Sequence, residues 1–361
     1  MKSEDLRRPV VAVFVAPKIT RVLSRQEEQY DCLQYALAAR AANVPLYVFQ
    51  AADMDLETGT VKGWTLDPDG QWQYGNVPWP DFVYDLAKGE AGKRERAMQI
   101  KADPRIKRLN EVKTFGKWPT HRALVGDFPH LLPDTVLGRT AADLELMLTR
   151  HAAVLTKPSG GTWGLGISKI WREADGSYTL QASHNDEQET GLSLADAFAR
   201  AKEVAGGRRM VIQQAIDLLK TDGEVMDLRL MMGKDSQEMW QVLQWYIRIG
   251  RSGAFVTNWH SGGSYVDVLP GLVSAGVAPE QAAALFHQAR QVAQQVAAKL
   301  EQAQTGRMVE VGLDFAFDRN LRLWMIEANG WPSKGEVIHE QDPIPRIYSC
   351  VIDYALSLWD R

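Results

Sequence analysis

Met308-Val-Glu-Val-Gly-Leu-Asp-Phe-Ala-Phe-Asp-Arg-Asn-Leu-Arg-Leu-Trp-Met-Ile-Glu-Ala-Asn-Gly-Trp-Pro332 reads as two alternating strands around a polar turn. On the first strand Val309, Val311, Leu313, Phe315 and Phe317 fall on one side, which sends Asp314 to the other. After the turn at Asp318, Arg319 and Asn320, Glu327 and Asn329 stand two apart and point the same way. An even-length loop centred on Arg319 and Asn320 places Asp314 opposite Met325, with Glu327 its diagonal same-face neighbour about 7–8 Å away. Two carboxylates and an amide oxygen at that separation suit one or two hard cations bridged by phosphate oxygens. Magnesium takes few carboxylates and fills its octahedron with water and nucleotide phosphate. A half-solvated hairpin with an acidic exposed face accounts for this segment equally well, so the rest of the chain has to decide.

Upstream, Ala153-Val-Leu-Thr-Lys-Pro-Ser-Gly-Gly-Thr-Trp-Gly-Leu-Gly-Ile-Ser-Lys-Ile-Trp171 sets two apolar runs around a loop with glycines at 160, 161, 164 and 166. Without Cβ atoms, such a loop brings backbone N–H groups close to phosphate oxygens. Lys157, at the end of the entering strand, offers an ammonium as a point charge. The loop lacks the Gly-Lys-Ser/Thr ending of a Walker motif and the spacing of a dinucleotide fingerprint. Strand, glycine loop, strand suggests a flap over a nucleotide; the plain alternative is a glycine-rich hairpin.

Composition narrows the classes. The chain has 361 residues, enough for two or three packed units, and 45% of them are hydrophobic. Lys plus Arg number 41 against 45 Asp plus Glu, a net charge of −4, which gives no electrostatic reason to expect nucleic acid or an anionic membrane as partner. Cys32 and Cys350 stand at opposite ends without metal-ligand spacing, so two free thiols in a reducing cytoplasm are expected rather than a disulfide. The apolar run near the N-terminus, Val10 to Ala16, is too short to span a membrane.

That same run reads as a strand buried on both faces of a parallel sheet. A helix over 25–42 and a second apolar strand over 44–50 continue a βαβ unit, followed by a hairpin turn at 67–70 and a strand over 81–86. The segment 93–108 carries seven basic residues, read as a solvated helix face in preference to an anion site. Helices are expected over 117–126, 140–151 and 193–205, strands over 210–214, 226–233 and 238–249, and one long packing helix from Pro279 to about Gln304.

The succession of Lys117, Lys157-Pro158 with the flap, Gln213-Gln214, Asp227-Leu-Arg229, Arg248, the Asn258 to Gly263 loop and Asp314…Glu327-Ala-Asn329 resembles the ATP-grasp superfamily over roughly residues 106–340. Val83-Tyr-Asp85, Lys117-Trp118, Leu132-Pro-Asp-Thr135, Arg248-Ile-Gly250 and Trp324-Met-Ile-Glu-Ala-Asn329 extend it over nearly the whole chain. With these motifs the chain is more closely similar to the YheC/YheD-like (endospore coat-associated) ATP-grasp family.

The resemblance implies an α/β ATP-grasp fold with two subdomains clamping a nucleotide. A small Rossmann-like pre-ATP-grasp domain at 1–105 would precede the ATP-grasp domain at 106–361, itself split into a flap part at about 125–216 and a metal-binding part at about 217–361. It implies ATP and Mg2+ as cofactors, one or two ions, with Mn2+ an acceptable substitute. Lys117, Lys157, Ser159, Gly160, Gly161, Thr162, Gly164, Gly166, Gln214, Ile216 and Asn258 would bind nucleotide, and Asp314, Glu327 and Asn329 the metal. Arg229 and Arg248 would stabilise the transferring phosphoryl group, a contact suited to guanidinium, with a structural salt bridge as the competing role. Gln213 and Gln214 otherwise read as a polar edge strand, His260 as a solvated loop histidine, Trp163 and Trp331 as packing, and Pro332 to Gly335 as a turn.

The implied reaction is ligation of a small-molecule or peptide carboxylate to an amine through an acyl phosphate. A kinase acting on a hydroxyl and a spore-coat-associated ATP-binding scaffold are the alternatives. A cytoplasmic or spore-coat location and a homo-oligomeric state are compatible with this reading.

Overall fold

A computed structural model of the chain describes residues 7–87, 94–161, 165–183, 187–257, 263–332, 334 and 344–359. The first sheet centres on Val11–Phe14, which pairs in parallel with Leu46–Phe49 on one side and Phe82–Asp85 on the other. Its side chains alternate between two cores. Val11, Val13 and Val15 meet Tyr35, Tyr84 and the C-terminal helix Arg346–Trp359, while Val10, Ala12 and Phe14 meet Phe49, Ala97 and Ile100. A strand covered on both faces needs apolar residues at every position, which is why this run does not alternate with polar ones.

The helix expected over 25–42 is shorter, Tyr30–Ala41, and a separate helix that the sequence did not suggest, Pro17–Ser24, precedes it. Pro17 starts the first with its preset φ. Gln26 breaks the path with φ 56°, and its side-chain amide is held at both ends by the Trp72 backbone. The break therefore answers to a residue 46 positions away. The turn at 67–70 joins Thr60–Leu66 to the antiparallel strand Trp72–Val77.

Of the basic segment, Arg94, Arg96, Arg105 and Lys107 are exposed as expected, Lys93 lies outside the described residues, and several of the cations are also fastened to partners. From the helix Glu95–Ala102, Lys101 pairs with the buried Asp85, and Arg96 caps the carbonyls of Ala51 and Met54. Arg105 beyond it grips Asp103.

The second sheet is antiparallel, ordered Gln188–Leu192, Tyr178–Ala182, Ser168–Arg172, Ala153–Pro158, Met210–Gln214, Thr135–Gly138. Helices Ala141–Arg150 and Leu194–Val204 pack on it through Leu144, Met147, Ala197 and Ala201. The third sheet runs Ser264–Val266, Trp240–Ile249, Glu224–Lys234, Glu310–Phe317, Leu323–Asn329, and the helix Pro279–Gln302 covers it. Ala282, Ala289, Ala293, Val296 and Leu300 recur at helical spacing and form the buried face of that helix. Val311, Leu313, Phe315 and Phe317 enter the core beneath it, whereas Val309 joins the other core with Tyr84 and Met231. Asp314 lies on the opposite face of its strand from Leu313 and Phe315, as the alternation requires.

Cys32 and Cys350 are both free and buried in the core that joins the first and third sheets. Burial pushes both thiols well above their usual range, so neither is a nucleophile at neutral pH.

The same core contains a buried ion pair. Lys334 donates to Glu310, Tyr84 donates to the other Glu310 oxygen, and the ammonium stands 5.5–5.9 Å from the ring centroids of Tyr35, Tyr84 and Tyr348. Removing the cation leaves Glu310, 2% exposed, without its counter-charge. Lys334→Met is therefore expected to cost about 3–5 kcal/mol in urea unfolding. Adding Glu310→Gln should recover part of the loss, and no recovery would show that the lysine stem, not its charge, carries the effect.

Candidate functional site

A cleft of about 2110 Å³ opens between the second and third sheets and reaches the C-terminal ends of the first-sheet strands. Ordinary small-molecule pockets hold about 300–1,000 Å³, so this one has room for two ligands together. Lys157, Gln214, Arg229, Arg248, Asp314 and Glu327 all line it.

On the third sheet the pairing differs from the regular hairpin expected. Phe315 pairs with Met325, but the next pair is Asp314 with Glu327, because Ile326 is bulged out. An extra residue on one strand shifts the register by one, so Glu327 lies directly across from Asp314 rather than diagonally. Asn329 reaches the same place, its amide nitrogen 3.4 Å from Asp314 Oδ2.

Asp314 is tightly held. Arg229 Nε is 2.5 Å from its Oδ1, and Arg248 Nη2 is 2.9 Å from its Oδ2. Burial alone pushes this carboxyl up, but the two guanidiniums outweigh it and hold it below the usual range. Arg248 also grips Asp227 through Nε and Nη2 at 2.7 and 2.6 Å, and Thr257 donates its hydroxyl to the same carboxylate. For Asp227 burial wins, and its carboxyl is raised.

Lys117 opens the helix Lys117–Leu124, its backbone N–H donates to Ser159 at the base of the flap, and its ammonium sits 2.9 Å from Glu327 Oε1. Lys157 donates to Gln213 Oε1 at 2.7 Å, while Gln213 donates to Thr135. Burial, with Lys117 adding repulsion, lowers the Lys157 ammonium to about 8. Lys117, Lys157, Arg229 and Arg248 thus face Asp227, Asp314 and Glu327, a set whose formal charge is +1. Such a set attracts an anion, and more strongly once a divalent cation joins it.

The structure brings Lys117, Lys157, Ser159, Gly160, Gly161, Gln214, Ile216, Arg229, Arg248, Asp314, Glu327 and Asn329 around one cleft or its rim. Gly166, with φ 80°, closes the base of the flap where an added Cβ would meet Arg208 and Pro158 at 3.0 Å. Gln214 ends the strand Met210–Gln214 just before the short link to the third sheet, where its backbone N–H donates to Asp134 O and its side-chain oxygen accepts from Asp134 N. Thr162, Trp163, Gly164, Asn258, His260 and Gly262 lie outside the described residues.

Three side chains were not assigned a role from sequence alone. Asp227 and Thr257 orient Arg248, and Gln213 orients Lys157. A carboxylate two residues before Arg229 on one strand was the available signal for Asp227. Lys113 is a fourth. Its ammonium pairs with Asp85 and lies 4.1 Å from the Trp331 ring centroid, and the backbone of Val112 and Lys113 rests on Gly330, where a Cβ would stand 2.8 Å from Lys113 C. The end of the Leu323–Asn329 strand is thereby locked to the linker that leaves the first sheet.

The donor set fits magnesium. Among the described residues no group of three or more His, Cys, Asp and Glu gathers for a metal. Two carboxylates and an amide oxygen are instead what a cation needs when water and phosphate complete its shell.

The sequence profile described as YheC/D like ATP-grasp matches residues 105–358. The endospore coat-associated protein YheD of Bacillus subtilis (strain 168) is 25% identical over 303 residues, 81% of this chain and 65% of YheD. The chain thus spans somewhat under two thirds of that relative. YheC of the same organism is 20% identical over 341 residues, 91% of this chain and 92% of YheC. Among solved structures, the VanG D-Ala:D-Ser ligase from Enterococcus faecalis superposes with a TM-score of 0.52 at 14% identity, covering 98% of this chain and 100% of that one. At that identity the likeness shows the fold.

Proposed function

The chain belongs to the YheC/D-like ATP-grasp family, and from that premise we propose that it is an ATP- and Mg2+-dependent ligase joining a carboxylate to an amine. The observation that supports it most is the juxtaposition of Asp314 and Glu327 with four cations around a cleft large enough for nucleotide and substrate together.

Lys157 and Lys117 bind phosphate oxygens as fixed point charges, one set by Gln213 and the other by the flap base. Gln214 at the end of its strand and Ile216 in the link that follows hold the base. Gly160 and Gly161, at the entrance of the glycine loop, line the cleft where their backbone would meet phosphate oxygens. Asp314, Glu327 and the Asn329 oxygen would hold the metal, which when bound neutralises nucleotide phosphates. Arg229 and Arg248 stabilise the charge that spreads over the transferring phosphoryl group and then over the acyl phosphate.

In the reaction a substrate carboxylate oxygen bonds to the γ-phosphorus as the bond to ADP breaks. The amine then attacks the acyl carbon, phosphate leaves with the electron pair of the broken C–O bond, and the proton lost by the amine nitrogen goes to the departing phosphate. Positioning and electrostatics carry such chemistry, and no nucleophilic side chain is required.

The test is ADP release from ATP by the purified protein, screened with carboxylates and amines singly and in pairs. Release stimulated only by a pair is the expected result. Release stimulated by an alcohol alone would assign a kinase instead.

A further inference from the structure

The two arginines at Asp314 are not equivalent. Arg248 has two carboxylates to hold: Asp227, bidentate at 2.7 and 2.6 Å, and Asp314 at 2.9 Å, with Thr257 bracing Asp227 from the other side. Arg229 has Asp314 as its only carboxylate among the described residues, with Nε 2.5 Å from Oδ1 and Nη2 3.2 Å from Oδ2. Its Nη1 lies along the strand beside Gly312, 3.1 Å from where a Cβ would stand. The glycine leaves room for the guanidinium there, because a side chain would crowd Nη1.

A divalent cation binds a carboxylate oxygen at about 2.1 Å, closer than any N–H donor. At Oδ1 it meets Arg229 and nothing else that the structure places there; at Oδ2 it meets the longer Arg229 contact, the Asn329 amide and one of the three contacts of Arg248. Like charges at such separations repel, so the loosely anchored guanidinium yields and the clamped one stays.

We propose that Arg229 and a divalent cation compete for Asp314, so that loading of the metal turns Arg229 out into the cleft, toward the phosphate oxygens, while Arg248 keeps its place on Asp227. Arg248 is then a fixed contact and Arg229 a metal-released one. A protein without its cation thus holds Arg229 back from the phosphates. The proposal rests on the reading of Asp314 as a metal ligand.

The test uses Mn2+ alone as the probe, counted by electron paramagnetic resonance on the full chain without nucleotide. Arg229→Met is expected to bind Mn2+ about tenfold more tightly than the unsubstituted protein, the order expected when one charge-assisted contact no longer has to be broken. The gain should vanish in Arg229→Met/Asp314→Asn. Equal or weaker Mn2+ binding by Arg229→Met overturns the proposal. Asp314→Asn alone binding Mn2+ as the unsubstituted protein does would remove the metal assignment beneath it. Should Arg229→Met not fold, arginine Nε–H signals of the unsubstituted protein report instead during a Mg2+ titration. The Arg229 signal is expected to shift while that of Arg248 holds; the reverse overturns the proposal.

Discussion

Glu327→Gln is expected to lower Mg2+-dependent ATP turnover by about a hundredfold to a thousandfold, the range seen when one preorganised electrostatic contact to a developing charge is lost. The fold should survive, because Glu327 is only half-buried and its partner Lys117 can turn to solvent. Urea unfolding is expected to change by no more than about 1 kcal/mol, the scale of a partly exposed ion pair. Asp314→Asn should abolish turnover as well, but with a loss of stability. Its carboxylate is buried against two guanidiniums, and removing one partner of a buried pair leaves charge uncompensated. Coupled ADP release and urea unfolding, measured on both variants, check the pair. Normal turnover in a folded Glu327→Gln protein would remove the metal assignment.

Lys157→Met is expected to lose ATP binding and yet to make the free protein more stable. Burial lowers the lysine to about 8 from the 10.5 of an exposed ammonium, so the folded state binds this proton less readily than the unfolded chain. The group therefore destabilises the fold fully below pH 8, and the penalty fades as pH rises from 8 through 10.5. Its size at pH 7 is on the order of 3 kcal/mol, an upper figure because Gln213 loses a partner in the variant. The difference in stability between the two proteins should shrink between pH 7 and pH 10. Binding runs the other way. Phosphate oxygens need the charged ammonium, so ATP affinity of the unsubstituted protein should fall as pH rises through 8. Thermal shift with ATP and Mg2+ at pH 7 and 9 measures both. A full shift in Lys157→Met would favour an ATP-binding scaffold in which this lysine plays no part.

Much of the site was legible because strand alternation is local. Asp314 had to face away from Leu313 and Phe315 whatever the rest of the chain did, and Glu327 and Asn329 had to share a side. The flap glycines announced themselves by composition. The bulge at Ile326 was not legible, since neither its neighbours nor the polar turn requires an extra residue, and only pairing shows which strand carries it. The break at Gln26 was hidden for the same reason: its cause is the backbone of Trp72. Nor could the basic stretch before residue 109 be divided from sequence into structural and solvated cations, because Asp85 arrives from a different strand.

The sequence by itself determined most element types, the faces of the strands and a list of charged groups, which follow from periodicity, backbone preference and residue chemistry acting over a few positions. The order of motifs added a resemblance to the ATP-grasp superfamily. Only the tertiary structure decided which charges meet. It put Arg229 and Arg248 on one carboxylate, gave Arg248 a second anchor in Asp227, sank Lys157 where burial lowers its ammonium, and buried Lys334 against Glu310. Coulomb energies depend on separation and burial, and both are set by strands that lie far apart in the chain.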